Sequence, residues 1–283
     1  MAAQSDYMSR VQTLLRHIRA CNNAALPGGR LPFRVAGQKV GWVQPGLAER
    51  LASLGARRMG DGLDVQPPQL QPLARALADA GVLRWRAEPF DVRVAPDGPV
   101  LGQVDRGALP KLGIGAMGVH LNGLVESGGE TRLWVARRAA NKLLDPGKLD
   151  HLVAGGVPAG YDPMQTLLKE GEEEAGLPPE LTRRAQPAGR IAYAMEREEG
   201  LRRDWLTCYD LVLPPEFVPE ARDGEVEAFE LWPLPRVLDA VRKTDDFKFN
   251  VNLVLIDLFL RRGLVLGQEG AELRAALSSA KSA

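Results

Sequence analysis

Apolar positions recur at two spacings along the chain, helical and alternating, and the order in which they do so divides it into two parts. Over residues 5–21, Val11, Leu14, Leu15 and Ile18 fall on one side of a predicted amphipathic helix. Phe33–Val43 predicts two short strands about a Gly37-centred turn. Short helices are predicted over Leu47–Leu54 and Pro67–Ala80, the second with Leu70, Leu73, Leu77 and Ala80 apolar. A further hairpin joins Phe90–Val94 to Val100–Val104. Helices and short hairpins alternate through this first part, an α+β pattern without a catalytic cluster. From about Gly113 the pattern changes. Met117–Val125, Leu133–Arg137, Leu152–Gly155, Ile191–Met195, Leu206–Leu213 and Val226–Trp232 read as strands. Helices are predicted over Pro235–Lys243 and Asn250–Arg261, and a last one over Glu269–Ser282. Mixed strands enclosed by helices imply an α/β/α sandwich. The expected division is 1–112, 113–268 and a tail, 269–283.

One stretch departs from pure packing logic. Gly155–Leu177 reads GGVPAGYDPMQTLLKEGEEEAGL, a Gly/Pro loop and then a helix. Asp162 is a good N-cap, Pro163 suits the first helical position, and Gly176 suits the C-cap. Met164, Leu167, Leu168, Gly171 and Ala175 make one face apolar or small. Glu170, Glu173 and Glu174 share a second face, and Glu172 points elsewhere. Like charges at this spacing cost a few tenths of a kcal/mol. A docked helix that accumulates that cost either solvates its acids or holds cations, and hard divalent ions want such carboxylate oxygens together with phosphate.

Composition narrows the alternatives. Lys plus Arg (36) balance Asp plus Glu (36), so no global field draws the chain to nucleic acid or an anionic membrane. No apolar run is long enough to span a bilayer, and the N-terminus lacks the core of a signal peptide. The two cysteines, Cys21 and Cys208, are far apart and suit a reducing, cytoplasmic setting. His17, His120 and His151 show no zinc-like spacing, and His151 has no evident partner.

The acidic stretch resembles the Nudix box, G-x5-E-x7-R-E-U-x-E-E-x-G-U with U bulky and apolar. Gly155, Lys169, Glu170, Glu173, Glu174, Gly176 and Leu177 stand at the right offsets. Tyr161 replaces the first Glu, Lys169 the Arg, and Gly171 the central apolar residue. The segments GVHLNGLV, LWVARRAANKLLDPGKLDHLVAGG, DGEVEAFEL and FKFN are similar to a Nudix subgroup with an extra N-terminal domain. That subgroup resembles the Nudix part of fungal thiamine pyrophosphokinase fusions and related plant proteins. The resemblance implies an α/β Nudix sandwich with a mixed sheet, preceded by a smaller α+β domain.

It also implies a metal-dependent pyrophosphohydrolase acting on a small-molecule diphosphate like thiamine diphosphate, such as an oxidised thiamine diphosphate cut to the monophosphate plus phosphate, with homodimers as the family habit. Glu170, Glu173, Glu174 and the Gly155 carbonyl would hold Mg²⁺ or Mn²⁺. Glu170, Glu173 or Glu225 would serve as base. Arg137, Lys142, Lys248 and Asn250 are candidates to grip the substrate. Two rivals stay open. A degenerate box would leave a ligand-binding module, and an isopentenyl-diphosphate isomerase-like enzyme would need a metal-binding His cluster and a catalytic Cys, for which Cys208 stands alone on a predicted strand.

Overall fold

Two sheets and a separate two-stranded hairpin carry the chain in the computed structural model, which describes residues 2–279, with side chains from residue 10 onward. After α1 (Ala2–Cys21), β1 (Leu31–Val35) and β2 (Gln38–Val43) form the expected hairpin. Its turn needs left-handed backbone at both Ala36 and Gly37 (φ +49° and +81°), the conformation that matches strand twist in a two-residue loop. There follow α2 (Pro45–Ser53), β3 (Arg57–Met59), β4 (Gly62–Val65) and α3 (Leu70–Asp79). The first sheet runs β2-β1-β4-β3, with β1 and β4 parallel. Strands β3 and β4 escape the sequence reading because RRMGDGLDV has no alternating apolar run. The hairpin of β5 (Pro89–Val92) and β6 (Gly102–Asp105) and the short α4 (Leu109–Leu112) complete this part.

The second sheet holds β7 (Gly115–Ser127), β8 (Glu130–Arg138), β9 (Leu149–Asp150), β10 (Val153–Gly156), β11 (Gln186–Arg197), β12 (Gly200–Val212) and β13 (Val226–Pro233). Its order is β11-β12-β7-β8-β13, and only β7–β12 is parallel. Strand β7 is long enough to serve two partners on one edge. Its residues 118–121 pair with β10 and its residues 124–127 with β8. Between those partners the sheet forks, and the chain at 149–153 crosses the fork. The helices are α5 (Pro163–Ala175), α6 (Pro179–Thr182), α7 (Leu234–Lys243), α8 (Val251–Arg261) and α9 (Gly267–Ser279). Residues 280–282 of the expected last helix lie outside the described residues.

Burial explains which helices dock where. Helix α5 lies on one face of the sheet, with Leu167 and Ala175 in a core shared with Val119, Leu121 and Val153. On the other face, Val11, Leu14, Leu15 and Ile18 of α1 join Val237, Val254, Leu258, Phe259, Leu273 and Leu277. The first and last helices of the chain thus share one core. Fully burying such side chains stabilises by roughly 1.5–3 kcal/mol each.

Helix α5 carries one residue that weakens it. Gly171 sits mid-helix, and a Cβ built there would meet its nearest neighbours, Leu177 and Thr182, at an ordinary 3.5 Å. Gly171→Ala is therefore expected to raise unfolding free energy by about 0.5–1 kcal/mol. A lower denaturant midpoint for the variant would contradict that.

Candidate active site

The acidic helix is set as its end signals predict. Asp162 accepts from Gln165 N–H (2.8 Å) and Gln165 returns the bond to Asp162 N–H (2.9 Å), a capping box, while Gly176 closes the C-terminus at φ +63°. The loop after β12 then returns to this end. Glu220 N–H donates to Ala175 O (3.1 Å), and Arg222 lies against Gly176, its Nε 2.9 Å from where a Cβ would stand. A cation suits the helix C-terminus. This docking brings Asp223 and Glu225 onto α5 from about fifty residues away in sequence.

There the carboxylates meet. One oxygen each from Glu174, Asp223 and Glu225 lie within 4.8 Å of one another. Glu174 is buried and accepts from Ala154 N–H (3.1 Å). Burial holds its carboxyl well above the usual range against that hydrogen bond, and Glu170, Asp150 and Glu225 push it further up. Burial also raises Glu170, offset by a hydrogen bond from Lys169. Gly155 lets Glu170 in, since a Cβ at 155 would stand 2.7 Å from the Glu170 Cγ. Gly155→Ala is expected to displace Glu170 and lower activity about tenfold or more while the fold survives, seen as lost turnover with an unchanged circular dichroism spectrum.

The placement revises several expectations. Gly155 O points to β7, 3.3 Å from a Cβ built on Gly118. Ala154 turns its N–H to Glu174, and the two polar groups of a strand residue share one edge. The backbone oxygen at the carboxylates is therefore that of Ala154. Glu173 is half-exposed and paired with Lys169 (2.5 Å), apart from the trio. Lys142 pairs with Glu225 and so reaches the site. Arg137 is held by Gly147 O (3.3 Å) on β8. Lys248 is buried against Asp150 (3.3 Å), and Asn250 is buried before α8, so both face inward rather than offering a substrate edge. Cys208 is wholly buried in the core, where burial pushes its thiol up, so the isomerase-like reading lacks its reactive thiol.

Two features were not read from sequence. Asp223 belongs to an Asx turn, accepting from Glu225 N–H (2.8 Å), and the DGE triplet was its only signal. The second lies in the fork of the sheet. His120 and His151 meet Nδ1 to Nδ1 at 2.9 Å, so His151 does have a partner. Asp150 beside them accepts from Arg138 Nη1 (2.7 Å), Lys248 Nζ (3.3 Å) and His151 N–H (2.9 Å). Burial lowers the His151 pKa to about 4. A group whose folded pKa is depressed below about 6.5 resists a proton that the unfolded chain accepts. Stability should thus fall as pH drops from about 6.5 towards 4, by up to roughly 3 kcal/mol from His151, with His120 acting in the same direction. Urea midpoints at pH 7 and pH 4.5 measure this, and His151→Gln should shrink the difference.

The family model of the NUDIX domain matches residues 121–252. Nudix hydrolase 20, chloroplastic, of Arabidopsis thaliana is 36% identical over 270 residues, covering 88% of this chain and 72% of that protein. The chain belongs to the Nudix hydrolase family. Nudix hydrolase 24, chloroplastic, of the same plant is 35% identical over 266 residues, covering 89% and 73%. A solved Deinococcus radiodurans protein aligns over 59% of this chain and 97% of its own, at 19% identity and a TM-score of 0.48.

The departures of this Nudix box now have local explanations. Lys169 pairs along its own helix with Glu170 (3.2 Å) and Glu173. Among the described residues no hydrogen bond joins it to Tyr161, which is exposed. Gly171 sits where α6 approaches α5. Among the described residues no helix is long and apolar enough to cross a membrane.

Proposed function

We propose that this Nudix hydrolase is a metal-dependent pyrophosphohydrolase whose centre is Glu174 with Glu170, Glu225 and Asp223. The observation that carries the reading is the meeting of Glu174, Asp223 and Glu225 within 4.8 Å, with the buried Glu174 carboxyl in no ion pair among the described residues. Carboxylates and the Ala154 carbonyl are hard oxygen donors and suit Mg²⁺ or Mn²⁺, which would neutralise phosphate oxygens and polarise the attacking water. Glu225 is the candidate base. It is exposed and reaches the centre from a separate loop, and its Lys142 partner is free to pass to an incoming phosphate. Arg137 flanks the same end of β8. The substrate we infer is a diphosphate of the thiamine diphosphate kind, cut to the monophosphate plus phosphate. The likeness to the subgroup with an extra N-terminal domain supports that choice.

Phosphate release from a panel of diphosphates, with and without Mg²⁺ or Mn²⁺, tests the reading. Divalent-dependent turnover with a preference for thiamine-type diphosphates is expected. Binding without turnover of any diphosphate would leave a ligand-binding module instead.

A further inference from the structure

The N-terminal part presents positive charge that the carboxylate centre does not use. Two turns, 84–88 and 105–107, are stapled by the buried carboxylate of Asp105. It accepts from the backbone N–H of Arg86 (3.0 Å), Glu88 (3.2 Å) and Gly107 (2.9 Å), and Asp105 N–H is fixed in turn by Gln71 (3.2 Å). The turns touch so closely that a Cβ on Gly107 would stand 1.9 Å from Arg84 O. Ala87, between Arg86 and Glu88, is held at φ +58°, a left-handed conformation that costs of order 1 kcal/mol for a residue with a Cβ.

This rigid frame projects Arg84, Arg86 and Arg106, all exposed. Arg86 is partly desolvated and feels the like charges of Arg84 and Arg106, which lowers its pKa. Glu88 pairs with Arg106 (2.9 Å); Arg84 and Arg86 have no ion-pair partner among the described residues. The frame abuts the Nudix box loop. Ala159 N–H donates to Pro89 O (2.9 Å), and Gly160 N–H to Asp91 (3.4 Å). A Cβ on Gly156 would stand 2.6 Å from the Phe90 ring and 3.7 Å from Arg106 Cζ. Gly155, the next residue, admits Glu170 on the opposite face of β10.

We propose that Arg84, Arg86 and Arg106 form an anion subsite beside the box loop that receives a phosphoryl group of the substrate. Guanidinium groups match phosphate in fork geometry, and an entering anion relieves the crowding of three cations on one frame. Asp105 and Gly107 fix the backbone of both turns, so the three side chains start from fixed positions. The same platform gives the N-terminal part a role in recognition. The substrate assignment rests on the hydrolase reading, but the subsite itself does not.

Inorganic pyrophosphate is the probe, titrated into the full chain in EDTA by calorimetry, so that no metal-held phosphate contributes. The wild-type chain is expected to bind it. Arg84→Gln/Arg86→Gln, which removes no ion pair, is expected to weaken binding about tenfold with an unchanged melting temperature, and Arg106→Gln likewise. With metal and a turned-over diphosphate, the double variant should raise KM about tenfold and leave kcat within twofold. Absent pyrophosphate binding, or binding equal in wild type and double variant, overturns the subsite even if turnover stands. Arginine-dependent binding in a chain that turns over no diphosphate upholds the subsite and sinks the hydrolase reading.

Discussion

Asp150→Asn should lower unfolding free energy by about 3–5 kcal/mol, the cost of breaking a buried ion pair by removing one partner. Asp150 is buried, and burial alone would raise its pKa. Lys248 and Arg138 more than reverse that and hold it well below the usual carboxylate range. The asparagine keeps a side-chain oxygen for His151 N–H but leaves two buried cations without a counter-charge. Arg138 also donates to Leu144 O (2.8 Å) and Asp145 O (3.1 Å), which folds the 139–148 segment that carries Lys142 to Glu225. Stability and activity should therefore fall together. Urea unfolding at pH 7 measures the first effect, and a loss below about 1 kcal/mol would show that water solvates the two cations or that a shifted neighbour pairs with them. Replacing Asp150, Arg138 and Lys248 together by apolar residues of like volume should be far milder, because the desolvation cost of all three charges disappears with the pairing.

Glu174→Gln should lower divalent-dependent kcat/KM on the order of a thousandfold, since the charge stabilisation a held cation supplies is several kcal/mol and each 1.36 kcal/mol is tenfold. Glu173→Gln should cost tenfold or less. The two residues are neighbours in the box, but Glu174 turns inward to Ala154 N–H, whereas Glu173 turns outward to Lys169. The elevated Glu174 carboxyl adds a pH signature. Below its raised pKa a proton occupies the group, so metal affinity should strengthen as pH rises and protons should be released on binding. Isothermal titration with Mn²⁺ in buffers of different ionisation enthalpy reports that release. Equal losses for Glu173→Gln and Glu174→Gln would return Glu173 to the centre.

Much of the organisation was legible because it is local. The caps of α5, the Gly37 turn and the apolar stripe of α8 follow from residue chemistry within a few positions, and all stand where the sequence places them. The three β3–β4 pairs around Gly60–Asp61 were not legible, because short strands without alternation are defined by their neighbour, here β1. The acidic helix was legible as a candidate site from i, i+3, i+4 spacing alone.

What the chain sequence determines by itself, then, is the box helix, its end signals, the mixed α/β pattern and the family likeness. These depend on backbone propensity and on spacing that one element can hold. The tertiary structure alone decides which carboxylates meet. Helical spacing puts Glu170, Glu173 and Glu174 on one face, but only the docking of the 214–225 loop on the end of α5 adds Asp223 and Glu225, and only the edge of β10 selects Glu174 and the Ala154 carbonyl. Likewise His120, Asp150, His151 and Lys248 read as unrelated polar residues until the fork in β7 brings them together. A buried charge must find its partner across the fold, and that pairing has no period to read along the chain.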